Sequence, residues 1–140
     1  MKILLATDGS DCSEEADRFL TRFHFTAQDD IIILHAVSEI PYEDDYHAQI
    51  RLVIKRVAPK ILDDSVKILH PAKTKISVLT EIGDPSREIL NMEKSLRPDV
   101  TAVGCRGLRG IKGMMGSVSR RILGNSESSV LIGKACAKVI

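Results

Sequence analysis

"MKILLATDGSDCSEEADRFLTRFHFTAQDDIIILHAV", residues 1–37, is the stretch from which the fold is read. It opens with "KILLA" (2–6) and closes with "IIILHAV" (31–37), two continuous apolar runs of strand length. Runs without in–out alternation suit strands covered on both faces, as in a parallel sheet. Between them Ala16, Phe19, Leu20 and Phe23 recur at i, i+3, i+4 and i+7, which predicts the apolar face of a helix. Asp11 or Ser13 can cap its start, and Glu14 and Glu15 in the first turn complement the helix dipole. The stretch reads as β-α-β.

The alternation continues to the end of the chain. "SEIPYEDDYH" (38–47) is an acidic loop interrupted by Pro41, read as solvated surface rather than an ion site. Ile50, Val53, Ile54, Val57 and Ile61 then keep helical spacing, with Pro59 expected to kink or split that helix. "KISVLTEIG" (75–83) alternates as a strand. "GDPSREIL" starts a helix, with Asp84 as N-cap, Pro85 in the first helical position and Ile89 and Leu96 on one face. "DVTAVG" (99–104) and "SVLIGKA" (129–135) are the fourth and fifth strands. A short helix from Ser117 to Leu123 lies between them, with Gly124-Asn125 as its stop. With right-handed crossovers this order predicts one α/β domain over residues 1–140: a doubly wound, Rossmann-like, five-stranded parallel sheet with helices on both faces. Ligands of such sheets bind at the carboxyl ends of the strands, where the strand order reverses.

Composition agrees with that reading. A chain of 140 residues suits one domain, and 44% hydrophobic with 28% charged residues is ordinary for a globular protein. With no Trp, two Tyr and three Phe, the core must be aliphatic. A net charge of +1 gives no field that draws the protein to nucleic acid or an anionic membrane. No apolar run approaches the ~18 residues of a membrane span. "MKILLATDGS" reads as an opening strand rather than a signal peptide, so a cytoplasmic location is expected. Cys12, Cys105 and Cys136 form no CxxC, and His24, His35, His47 and His70 show no ligand spacing, so neither disulfides nor a metal site is expected. His35 and Cys105 read as core residues, although Arg106 and Arg109 beside Cys105 can lower a thiol pKa. Met114 and Met115 read as apolar filler.

"VGCRGLRGIKGMMGSVSRR" (103–121) spends five of the nine glycines, and Arg106, Arg109, Lys112, Arg120 and Arg121, on nineteen residues. No acid occurs from Thr101 to Ser126. Glycines allow positive φ and close backbone approach, and a loop of them can present N–H groups to an anion. Here the loop feeds a helix whose Ser117 can cap it and donate its hydroxyl. The N–H groups of Ser117, Val118 and Ser119 at the helix start favour a phosphate. The competing reading is a flexible surface loop kept soluble by its charges. There is no G-K-[ST] of a Walker loop and no G-x-G-x-x-G after the first strand.

These residues resemble the universal stress protein family, whose ATP-binding members carry G-2x-G-9x-G-[ST] after strand 4. Gly104-Cys105-Arg106-Gly107 supplies the first half and Gly116-Ser117 the second. "ILLATDGSDCSEEA", "ILHAV", "GDPSREIL", "GSVSRRIL" and "SVLI" match in order, so the resemblance covers nearly the whole chain. Two departures stand out. Eight residues, "LRGIKGMM", lie between Gly107 and Gly116 where the family has nine, and "NSESSV" replaces a Pro-containing turn. Gly110 and Gly113 either close the shorter loop on the same phosphates or leave an altered pocket.

The resemblance implies the strand order 3-2-1-4-5 and binding of ATP, ADP or AMP, with or without Mg2+. It implies that Asp8 bonds the ribose, that the Ala6-Thr7 backbone flanks the nucleoside and that Ala36 offers its backbone to adenine. Gly104, Arg106, Gly107, Gly116, Ser117 and Val118 would wrap ribose and phosphates, with Ser119 next to them. For Asp8 a second reading stays open, that Asp-Gly-Ser merely makes a turn. The resemblance further implies a homodimer through strand 129–135, unless Lys134 and Lys138 guard that edge in a monomer. A regulatory nucleotide-binding module acting on a protein partner is the first functional reading; a weak ATPase or a nucleotide-independent interaction module are the alternatives. No catalytic residue is assigned. Rapid hydrolysis needs a water-positioning group and metal-binding carboxylates, and the phosphate loop has no acid. "TDGSDCS" lacks the paired glycines of an ATP pyrophosphatase loop, and a single Asp8 lacks the acidic pair of a phosphoacceptor domain.

Overall fold

The computed structural model of the chain describes residues 1–38, 45–106 and 114–135, apart from the side chains at 45–47, 50, 53 and 54. In chain order the elements are β1 (Lys2–Ala6), α1 (Asp11–Leu20), β2 (Asp30–Val37), α2 (Asp45–Leu69), β3 (Lys75–Ile82), α3 (Pro85–Leu96), β4 (Val100–Gly104), α4 (Ser117–Asn125) and β5 (Ser129–Gly133). The strands form one sheet in the order β3-β2-β1-β4-β5. All pairs are parallel, with Leu5 of β1 opposite Ile33 of β2 and Ala102 of β4. The expected fold class and strand order are both found.

The central strand shows why its sequence does not alternate. Ile3, Leu4 and Leu5 are all fully buried, because each face of the sheet is covered. Ile3, Leu5, Ile31, Ile33 and Ala102 pack against Ala16 and Leu20 of α1 and Leu62 and Leu69 of α2. Leu4, Ile32, Leu34 and Val103 pack against Ile89 of α3 and Ile122 of α4. The chain winds from β1 through β2 to β3 on one side, then crosses back to β4 on the other. The order therefore reverses between β1 and β4.

Local details correct several expectations. The cap of α1 is Ser10, one residue before Asp11, and its hydroxyl accepts from the Ser13 amide. Ser10 takes this place because Gly9, at φ +78°, turns the chain where a β-branched or bulky residue is strained. The buried face of α1 is Cys12, Ser13, Ala16, Asp17 and Leu20, while Phe19 is 44% exposed and Phe23 lies beyond the helix. Pro59 neither splits α2 nor ends it; the helix runs on to Leu69, held by Ala58 and Leu62, which are buried on either side of the proline. Val57 is exposed, so the face of α2 that meets the sheet is offset from the predicted one. Asp84 caps α3 and Pro85 opens it, as expected. Gly124-Asn125 does not stop α4; both are helical, and the extended Ser126 ends it, its amide donating to the Ile122 carbonyl. The fifth strand closes at Gly133, two residues earlier than expected.

Candidate functional site

A cavity of about 430 Å³ opens at the carboxyl ends of β1, β2 and β4, at the reversal of strand order. That is within the size range of small-ligand sites. Ala6, Thr7 and Asp8 line it from the end of β1, and Ala36 from the end of β2. Gly104 and Arg106 contribute from the end of β4, and Gly116, Ser117, Val118 and Ser119 from the start of α4. The predicted residues thus converge on one space, except Gly107, which lies outside the described residues along with Arg109, Lys112 and the shortened loop. Cys136 lies outside them as well. Sequence reading missed Ser13, Pro85, Ile89 and Val103, and took Met114 and Met115 for filler, although they too line the cavity. Pro85 had a usable signal: a capped helix start directly after a parallel strand lies at the same end of the sheet as any ligand.

The floor of the site is a hydroxyl network. The Thr7 amide donates to the Leu34 carbonyl at 2.9 Å, and the Gly9 amide donates to Thr7 Oγ1 at 3.2 Å. Thr7 Oγ1 donates to Ser13 Oγ at 3.2 Å, and Ser13 Oγ to the Ser10 carbonyl at 2.9 Å. His35, half-buried, places Nδ1 2.8 Å from the Thr7 carbonyl oxygen, so with its proton on Nδ1 it anchors the β1 turn. The sequence reading placed His35 in the core; it is half-buried instead, at the strand end. Asp8 Oδ1 accepts from the Ser10 amide at 2.9 Å, which makes the turn-forming reading of Asp8 correct. The same carboxylate lines the cavity, so the turn and a ligand contact do not compete for both oxygens.

Gly104 and Gly116, the described glycines of the stretch 104–116, do not serve positive φ. Among the described glycines only Gly9 and Gly83 have positive φ. A Cβ on Gly104 would lie 2.6 Å from the Ser13 amide nitrogen and 2.9 Å from the Cys12 carbonyl carbon. Its missing side chain lets the first turn of α1 sit directly on the end of β4. At Gly116 a Cβ would meet Arg106 Cα at 3.1 Å and the Cys105 carbonyl oxygen at 3.3 Å. The two ends of the glycine stretch are thereby stitched together: the Gly116 amide and Ser119 Oγ both donate to the Cys105 carbonyl at 2.7 Å. Ser10 Oγ holds the Arg106 carbonyl at 3.3 Å.

Three helices begin near this space, and their first turns differ in charge and capping. Ser10 caps α1, with Asp11 and Glu14 in the first turn, and Asp84 caps α3, with Glu88 in the first turn. The cap of α4 is Gly116, not Ser117, with no side-chain hydrogen bond and no acid in the first turn. The positive end of the α4 dipole is the one left without an internal counter-charge. Arg106 stands beside it, half-buried. Arg121 Nη1 reaches the Asp84 carboxylate at 3.3 Å and ties α4 to the start of α3. The Ser86 hydroxyl and then the Arg87 amide hold the Asp84 carboxyl below its ordinary range. Among the described residues no cluster of His, Cys, Asp and Glu is built to hold a metal ion. None of the described helices is long and apolar enough to cross a membrane.

Known proteins show the same architecture. The model of the universal stress protein family matches residues 1–134. The universal stress protein YxiE of Bacillus subtilis is 32% identical over 143 residues, covering 94% of this chain and 97% of its own. The solved structure of MJ0577, a universal stress protein of Methanocaldococcus jannaschii, superposes with a TM-score of 0.88 at 23% identity, covering 98% of this chain and 97% of that one. A universal stress protein family protein of Arabidopsis thaliana, solved with AMP bound, superposes with a TM-score of 0.74 at 22% identity, covering 98% and 93%.

Proposed function

Given that the chain belongs to the universal stress protein family, we propose that it binds an adenine nucleotide in the cavity between β1, β4 and α4 and acts as a regulatory module. The observation that carries this reading is the start of α4, which combines a glycine cap, no acid and a neighbouring arginine at one wall of the cavity. Backbone amides at a helix start, with a cation beside them, suit a phosphate group. The apolar wall of Ala6, Pro85, Ile89, Val103 and Val118 suits a purine face. Asp8 receives ribose hydroxyls on the oxygen the turn leaves over, and Ala36 offers its backbone to adenine. The Arabidopsis relative with AMP supports the choice of base. ATP, ADP and AMP are the candidate ligands. Asp8 is the one acidic side chain among the described lining residues, so a Mg2+ ion would be held chiefly by phosphate oxygens and water. The protein works in the cytoplasm on a protein partner, and pairs with a second copy through the edge strand β5.

Calorimetric titration of the native protein and of Ser117→Asp tests the site. Ser117 is exposed and is the first residue of α4. A carboxylate there favours the helix by about 0.3–1 kcal/mol through its dipole, yet repels a phosphate at the same amides. AMP, ADP or ATP should bind the native protein, and affinity should fall about tenfold or more in the variant while its melting temperature holds or rises. No binding by the native protein, or equal binding by the variant, defeats the proposal. Gly116→Val is a poorer test, because its Cβ crowds the Arg106 backbone at 3.1 Å whether or not a phosphate is there.

A further inference from the structure

We propose that Met114 and Met115 form an oxidisable wall of the nucleotide cavity, so that their conversion to sulfoxides by a peroxide weakens nucleotide binding. This rests on the nucleotide reading of the site given above. Both side chains line the cavity, and Met114 is 55% exposed at its mouth. The protein's other described sulfur atoms are placed differently. Met1 lies at the opposite, amino end of β1. Met92, half-buried on α3, packs against the second core cluster. Cys12 and Cys105 are buried, at 2% and 9% exposure. A peroxide arriving at the cavity mouth therefore meets thioether sulfur before thiol.

In the reaction the sulfur lone pair attacks a peroxide oxygen, the O–O bond breaks and an S–O bond forms. Sulfur loses two electrons and the peroxide gains them; the transferred oxygen stays on sulfur, its proton passes to the departing hydroxide, and that hydroxide leaves as water. The product carries a strongly polar oxygen on a wall that it shares with Pro85, Ile89 and Val118, where apolar contact is what a base would meet. The backbone of this wall is tied down at Met115. Met115 is followed by Gly116, whose amide is fixed to the Cys105 carbonyl at 2.7 Å, and the Met115 carbonyl accepts from Arg120 Nη2 at 3.5 Å.

The test treats the full chain with millimolar hydrogen peroxide, with and without AMP. Sulfoxides are located by peptide mass spectrometry and AMP affinity is measured by calorimetry. Sulfoxide should form at Met114 and Met115 before Met92, more slowly with AMP bound. AMP affinity should fall about fivefold or more, and a methionine sulfoxide reductase should restore it. A Met114→Leu/Met115→Leu variant, whatever its own affinity, should show no change on peroxide treatment. Oxidation of both residues with affinity unchanged overturns the inference and leaves the nucleotide site standing. Equal loss in the double-leucine variant assigns the effect to another sulfur, cysteine or methionine, and overturns it too. No heat with AMP, ADP or ATP before any peroxide is added refutes the site reading itself, and the inference with it.

Discussion

Replacing Asp17 by Asn should stabilise the protein at neutral pH and lose that advantage in mild acid. Asp17 lies on the buried face of α1 and is 0% exposed. Its Oδ2 accepts from the Ser65 hydroxyl of α2 at 2.7 Å, and its Oδ1 has no partner among the described residues. Burial pushes the carboxyl from an ordinary 3.8 up to about 6, against the opposing Ser65 bond; Glu14 adds slightly to the rise and Arg18 subtracts. The unfolded chain thus gives up this proton at lower pH than the folded one. The neutral form's contribution to stability is fully present below about 3.8 and is lost as pH rises through about 6. At about 1.4 kcal/mol per pH unit, the span from 3.8 to about 6 costs the folded state about 3 kcal/mol at pH 7. Asparagine mimics the protonated acid and keeps an acceptor for Ser65, while its extra N–H lacks a partner and costs about 1 kcal/mol. The expected net gain is about 2 kcal/mol at pH 7.5, shrinking by about that amount at pH 4.5. Urea unfolding followed by circular dichroism at both pH values measures the two differences, and titrations elsewhere cancel in the comparison. Parallel curves for the two proteins would show that Asp17 is not the strained carboxylate described here.

Three further expectations follow from other parts of the molecule. Glu93, on α3, accepts from Ser126 Oγ at 2.8 Å, the Glu127 amide at 2.6 Å, Thr101 Oγ1 at 2.9 Å and the Ser128 amide at 3.2 Å. Burial opposes its ionisation, but these donors together hold its carboxyl below the ordinary range. Glu93→Ala should cost about 3–5 kcal/mol in chemical denaturation by orphaning them, with Glu93→Gln in between, and the native bond should weaken only as pH falls below 4.5. Gly104→Ala should lower stability by about 1–3 kcal/mol by forcing α1 off β4; a thermal scan indistinguishable from the native protein would refute that account. The β5 edge should pair two copies, so light scattering should give twice the 15.4 kDa monomer mass; a monomer at high micromolar concentration would refute it.

Much of this architecture was legible in the chain because it depends on local periodicity. The unalternating "KILLA" and "IIILHAV" predict strands covered on both faces, and Ile3, Leu4, Leu5, Ile31 and Ile33 are all fully buried. Asp84-Pro85 announced a helix start because its cap is made within four residues. The position of the candidate site was legible for the same reason: strand ends can be counted along the chain, and a doubly wound sheet puts its ligand there.

What the sequence could not show depended on which elements meet. Two glycines that read as room for a ligand are small because Ser13 and Arg106 backbone pass within about van der Waals reach of them. Nothing in "VGCR" records that α1 lies over Gly104. Ser10 rather than Asp11 or Ser13 caps α1, because the choice turns on Gly9 at positive φ and on a carbonyl, that of Arg106, 96 residues away. Pro59 breaks a helix in isolation, but α2 gains enough from burying Ala58 and from Leu62 in the core beneath the sheet to continue past the missing hydrogen bond. Asp17 reads as an ordinary polar position on α1 until α2 covers it. Local preference is a matter of a kilocalorie or so per residue, and the packing of one element on another outweighs it wherever the two disagree.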